Sequence, residues 1–351
     1  LAEAPNAPEP FAVGADLSFL GEAEARGVVF RDGGEAKPGL KLFRDHGYDW
    51  VRLRLFHSPA AHRSALPNDL AYTIAQARAA KAHGFKLLLN FHYSDTWADP
   101  AHQITPEAWK ELGPEDLAAA VRTYTRDCIR AFRTAGAMPD MVQPGNEVTA
   151  GMLWPTGKLP DNWDQFAALT RAGIAGVREG AEGAEGAPMP KILVQIERSG
   201  NWDATKWFFD RLFASGVEPD VLGQSYYPWW HGSLDDLRTT LHHMARTYRK
   251  PVMVVETAYC WRPTEYVEGR TPVGRAPFPE SIEGQRDFLA AVSDVVRGVP
   301  DGLGAGVFWW EPAVGVGRGR SRLRSRGMFD DAGNVLPVID AARPPSAIGA
   351  R

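Results

Sequence analysis

The chain has 351 residues, and 39 Lys and Arg against 43 Asp and Glu leave a net charge of −4. That balance argues against nucleic acid as a partner. With 44% hydrophobic and 23% charged residues the chain can bury a large core, which excludes disorder. No apolar run reaches the roughly 18 residues that a membrane helix needs.

The first ten residues, LAEAPNAPEP, read as a Pro/Ala-rich leader, and residues 11–345 as one barrel domain. A start without Met fits either a secreted protein whose signal peptide has been removed or a chain trimmed at its start; secretion or a periplasmic location is the expectation. Eight short apolar segments follow, each reading as a buried strand: 11–16, 50–56, 86–93, 140–147, 191–197, 221–227, 251–259 and 305–311. Helical stripes lie between them. One runs from Asp69 towards Gly84. Leu117, Val121, Tyr124, Cys128 and Phe132 form another, stopped by Gly136. Leu234 to Tyr248 follows a Ser233 cap, and Ile282 to Val296 ends at Gly298. Strands alternating with helices imply parallel pairing, and eight such units imply a single-domain (β/α)8 TIM barrel. An open doubly wound sheet is the competitor, but no GxGxxG follows the first strand. Cys128 sits on an apolar stripe and reads as core; a disulfide to Cys260 is the alternative.

In such a barrel, chemistry sits at the C-terminal ends of the strands. Those ends carry Asp16; Arg52 and Arg54; His92, Tyr93, Asp95, Trp97 and Asp99; Asn146 and Glu147; Tyr226, Tyr227, Trp229, Trp230 and His231; Glu256 and Tyr259; and Trp309, Trp310 and Glu311. Rings that stack on sugar faces, mixed with carboxylates and amides that bind hydroxyls, make a lining suited to a polysaccharide. Glu147 and Glu256 each end an apolar strand, on strands four and seven across the barrel. A glycosidic bond is hydrolysed by such a pair, about 5 Å apart for retention and about 6.5–9.5 Å for inversion. The barrel alone does not choose between them. A single strand-end Glu is more often a salt-bridge partner; it is the pair among clustered rings that points to chemistry. His92, Asp95 and His102 lack zinc-site spacing.

Five strings go further: GADLSFL (14–20), FHYSDTWADPAHQ (91–103), GNEVTAGMLWPTG (145–157), SYYPWWHGSLDDL (225–237) and VVETAYCW (254–261). In this order they resemble family 53 glycoside hydrolases, the arabinogalactan endo-β-1,4-galactanases, across residues 12 to 340. The resemblance implies a retaining hydrolase with Glu147 as acid/base and Glu256 as nucleophile. It implies that Asn146 binds a sugar hydroxyl, that Arg54 keeps the nucleophile ionised, and that Trp310 floors the site. It implies a hydrogen bond to the nucleophile from Tyr227 or His231. Asp16, His92, Trp97, Trp229 and Trp230 join these as candidate substrate-binding residues. The substrate is then β-1,4-galactan of pectic arabinogalactan, and the enzyme a monomer. The rivals are a mannanase or cellulase of the same clan, and a non-catalytic polysaccharide-binding barrel.

The sequence also departs from the family. Asn90 stands where an acid is usual, Pro144 lies inside strand four and predicts a distortion there, and QIERSGN (195–201) lacks the usual His. Some bacterial members hold calcium with acidic residues after strand eight. Here that stretch, 314–331, is rich in Arg with no acid before Asp330. No calcium, other metal or cofactor is therefore expected. The arginine run reads as a solvated loop, or as a surface attracted to acidic pectin.

Overall fold

In a computed structural model, residues 10–61, 66–183, 188–263, 276–314, 316 and 324–343 are described. Nearly all of the leader and most of the arginine run fall outside them. Eight parallel strands close into a barrel: β1 (Ala12–Asp16), β2 (Trp50–Leu55), β3 (Lys86–Phe91), β4 (Met141–Pro144), β5 (Lys191–Ile196), β6 (Val221–Tyr226), β7 (Val252–Thr257) and β8 (Gly304–Trp309), with β8 pairing back onto β1. Each falls within one residue of a segment predicted from apolar runs, except that the polar tails of strands three, four, six, seven and eight belong to loops. Strands covered on both faces lose the in–out alternation of polarity, which is why continuous apolar runs reveal them.

The longer helices between the strands are α1 (Gly39–Asp45), α2 (Leu70–Ala82), α3 (Pro114–Thr134), α4 (Trp163–Ala181), α5 (Trp202–Ala214), α6 (Leu234–Tyr248) and α7 (Ile282–Arg297). Asp69 caps α2 through the Tyr72 N–H, and Ser233 caps α6 in a reciprocal box with Asp236. The sequence reading missed α1, α4 and α5. In α4 the apolar stripe is interrupted by Gly173, which packs against Tyr93, and by Gly176 and Gly180, where α3 crosses almost backbone to backbone. A Cβ on Gly176 would lie 2.5 Å from the Arg122 carbonyl oxygen.

Two layers fill the cylinder. The lower is apolar: Ala12, Trp50, Leu88, Met141, Leu193, Val221, Met253, Val255 and Phe308. The upper is polar, with Arg52, Asn90, Gln143 and Gln195 all buried. Cys128 and Cys260 are both buried and both free, so the disulfide alternative is overturned. No helix among the described residues is long and apolar enough to cross a membrane.

Candidate active site

The two strand-end glutamates reach the mouth by different local devices. Strand β4 stops at Pro144, which has no N–H for the ladder, and pairing with β5 ends at Val142. The distortion predicted from Pro144 is present. Gly145 then turns with φ +85°, and Glu147 itself sits left-handed at φ +48°, a costly conformation held only by its surroundings. On β7, Met253 and Val255 point into the apolar layer, so regular alternation would turn Glu256 outward. The register with β6 slips between Gln224 and Ser225: Val254 faces Gln224, but Glu256 faces Ser225. The ladder with β8 shifts over the same stretch. This irregularity re-aims the carboxylate, as bulges do.

Glu147 and Glu256 line one cavity of about 360 Å³, together with Arg54, His92, Trp97, Ala98, Asp99, Asn146 and Trp310. Their environments differ. Glu147 Oε1 accepts from Ser225 Oγ at 2.6 Å. Burial first, then the carboxylates of Glu256 and Glu197, push its pKa well above the ordinary range, against the Ser225 hydrogen bond. Glu256 Oε1 lies 2.7 Å from Arg52 Nη2, and its Oε2 accepts from Tyr227 OH at 3.3 Å. One carboxyl is favoured in its neutral form beside another that has a fixed positive counter-charge.

The supporting network is buried and polar. Arg52 donates to Asp16 at 2.9 Å, Asn90 at 3.0 Å and Asn146 at 2.8 Å. Asn146 Nδ2 donates to the Ala98 carbonyl at 2.8 Å. Gln143 donates to Gln195, and Gln195 to Ser225 Oγ at 2.9 Å. His92 Nδ1 accepts the Ala98 N–H at 2.9 Å, which leaves the ring hydrogen on Nε2. That nitrogen is buried and has no hydrogen-bond partner among the described residues. Burial, then Arg54 and Arg52, drive the His92 pKa well below normal, so the ring is a neutral donor for a ligand hydroxyl.

The model of glycosyl hydrolase family 53 matches residues 12–342. The chain belongs to glycosyl hydrolase family 53. A Niallia circulans protein described by its position in the bgaB 5′ region is 42% identical over 318 residues, 87% of this chain and 84% of that one. A Humicola insolens arabinogalactan endo-β-1,4-galactanase is 37% identical over 339 residues, covering 93% of this chain and 97% of its own. The family 53 catalytic domain of Ignisphaera aggregans superposes with a TM-score of 0.87 at 31% identity, over 97% of both chains.

The structure of this family 53 glycoside hydrolase redistributes several predicted roles. Arg52, not Arg54, touches Glu256. Arg54 sits one layer higher, paired with Glu311 and, at 3.3 Å, with Asp16. Its guanidinium lies 4.5 Å from the Trp97 ring centroid. Asp16 is 1% exposed and engaged by both arginines and by Ser18, so it supports the floor and does not face the cavity. Trp229 is buried, stacked on Tyr259 at 5.4 Å, and offers no face to a substrate; Trp230 is 45% exposed and does. Of the two candidates for touching Glu256, Tyr227 makes the contact. His231 instead accepts the Tyr227 N–H at 3.1 Å. Sequence reasoning missed Ser225 and Glu197, and it placed Glu311, the Arg54 partner, at a strand end without giving it a role. A buried Ser at a strand end carries no signal of its own, but Glu197 and Glu311 ended predicted strands and were visible there. Among the described residues, no group of three His, Cys, Asp or Glu side chains is placed to hold a metal ion.

Proposed function

We propose that this hydrolase is an endo-β-1,4-galactanase that cleaves the galactan side chains of pectic type I arabinogalactan by double displacement with retention. Glu256 attacks the anomeric carbon while Glu147 gives its proton to the leaving oxygen. Glu147 then takes a proton from water, which attacks the same carbon and releases the sugar with its original configuration. Asn146, His92, Trp97 and Trp310 hold the ring under attack, and Tyr227 and Arg52 hold Glu256. Each chain carries both glutamates, so a monomer suffices. A polymer of this size is met outside the cell, which favours secretion.

The observation that carries the reading is the asymmetry of two glutamates in one cavity: Glu147 is driven towards its neutral form, and Glu256 is held by a guanidinium. The galactan specificity rests on the family and on the Humicola relative. Reducing-end release from galactan, mannan and cellulose at equal loading tests it, with galactan the substrate cut fastest. Equal or faster cutting of mannan or cellulose rejects it. Azide should rescue Glu256→Ala on an activated β-galactoside, giving the α-galactosyl azide. Failure of that rescue removes Glu256 from the nucleophile's place.

A further inference from the structure

The polar layer of the barrel holds Asn90, Gln143 and Gln195, three amides that the chemistry above does not use. Each is at most 1% exposed. Asn90 and Gln195 fall at two of the places where the sequence departs from the usual family form. An amide does not titrate, so what it contributes is direction: its oxygen only accepts and its nitrogen only donates.

That direction is set by two neighbours that can play one part only. The Gly145 carbonyl, in the turn that carries Glu147, accepts from Asn90 Nδ2 at 2.9 Å and from Gln143 Nε2 at 3.0 Å. The Arg52 guanidinium, a donor only, lies 3.0 Å from Asn90 Oδ1 and 3.4 Å from the side-chain oxygens of both Gln143 and Gln195. Gln143 turns its other N–H to Gln195 Oε1, so Gln195 turns Nε2 to Ser225 Oγ, 2.9 Å away. The Ser225 hydroxyl accepts this N–H and has one hydrogen to give, which goes to Glu147 Oε1 at 2.6 Å. With Gln195 reversed, its amide oxygen would draw that hydrogen away and Oε1 would lose its donor. In a protonated carboxyl the carbonyl oxygen is the acceptor and the other oxygen carries the hydrogen. A donor fixed on Oε1 therefore leaves the Glu147 proton on Oε2.

We propose that Gln195 is a positioning residue for the hydrolysis: it holds the Ser225 hydroxyl as a donor to Glu147 Oε1 and so keeps the acid's proton on Oε2, free for the leaving oxygen. The proposal rests on the double-displacement reading, in which Glu147 is that acid. Gln195 touches neither the substrate nor the reacting atoms and acts through Ser225.

The test compares kcat/KM on β-1,4-galactotetraose, whose leaving sugar needs the proton, with kcat/KM on 2,4-dinitrophenyl β-1,4-galactobioside, whose leaving group departs without it. The tetraose-to-aryl ratio should fall about tenfold in Gln195→Met, the worth of one hydrogen bond at the acid. Gln195→His, which keeps an N–H for Ser225, should recover part of it. The double variant Gln195→Met/Ser225→Ala should show a ratio no lower than Ser225→Ala alone, because the effect passes through that hydroxyl. A ratio equal to the parent's, equal falls on both substrates as a folding defect would give, or two falls that multiply in the double variant overturns the proposal. Glu147→Ala separates this from failure of the underlying reading. If Glu147→Ala lowers the ratio and Gln195→Met does not, the proposal alone falls. If Glu147→Ala leaves the ratio at the parent's value, Glu147 is not the acid, and the reading falls together with the proposal.

Discussion

At the scale of single residues, the site depends on which protonation state each neighbour favours. Glu147→Gln should lower kcat/KM on galactan by about 10²–10⁴-fold, the usual share of a general acid, and abolish the alkaline limb of the pH profile. Ser225→Ala makes a finer prediction. The Ser225 hydrogen bond lowers the Glu147 pKa, so its loss raises that pKa and moves the alkaline limb to higher pH. An alkaline limb that stays put in Ser225→Ala assigns it to another group. Arg52 is the second case. It is wholly buried and balances both Asp16 and Glu256. Arg52→Met should cost about 3–5 kcal/mol in urea unfolding, because it leaves the buried Glu256 carboxylate without its counter-charge and Asp16 with Arg54 alone. Here the sequence was half legible. Arg52 and Arg54 stand two residues apart on one strand and so share a face, and both were candidates at that strand's end. Which one meets Glu256 depends on how far a long side chain reaches between layers and on the slipped register of β7, and neither leaves a mark in the spacing.

At the scale of elements, the eight strands were readable because burial on both faces demands unbroken apolar runs, and α6 was readable from Ser233 and its stripe. Helix α4 was not, because its glycines look like breakers. They are there for approach: Gly176 meets the Arg122 carbonyl and Gly180 the Arg126 carbonyl, each within 2.6 Å of where a Cβ would be. Helix propensity alone favours Gly176→Ala by somewhat under 1 kcal/mol. The clash with rigid backbone outweighs it, since overpacking costs about 1–3 kcal/mol. Gly176→Ala should therefore lower the urea midpoint. A raised midpoint would show that α3 and α4 can part without penalty.

At the scale of the molecule, the first and last parts of the fold are tied together by hydrogen bonds through His46. The His46 Nδ1 lies 3.0 Å from Asp340 and Nε2 3.3 Å from Asp32, and Arg343 also pairs with Asp340. Burial raises the Asp340 pKa, but the hydrogen bonds from His46 and Arg343 outweigh it and hold the carboxyl below its usual value. A lowered carboxyl contributes stability above its unfolded pKa of about 3.9 and loses it as pH falls through the folded value. Asp340→Asn should thus flatten the loss of stability below about pH 4, while leaving the profile above pH 5 parallel to the parent's. The barrel's closure was legible from counting units; this tie was not, because it joins residues 294 positions apart.

The apolar layer around Trp50 and Phe308 makes the cylinder a cup, not a tube. Nothing can be threaded through a cup. Whatever binds must therefore enter and leave by the same mouth, past the two glutamates.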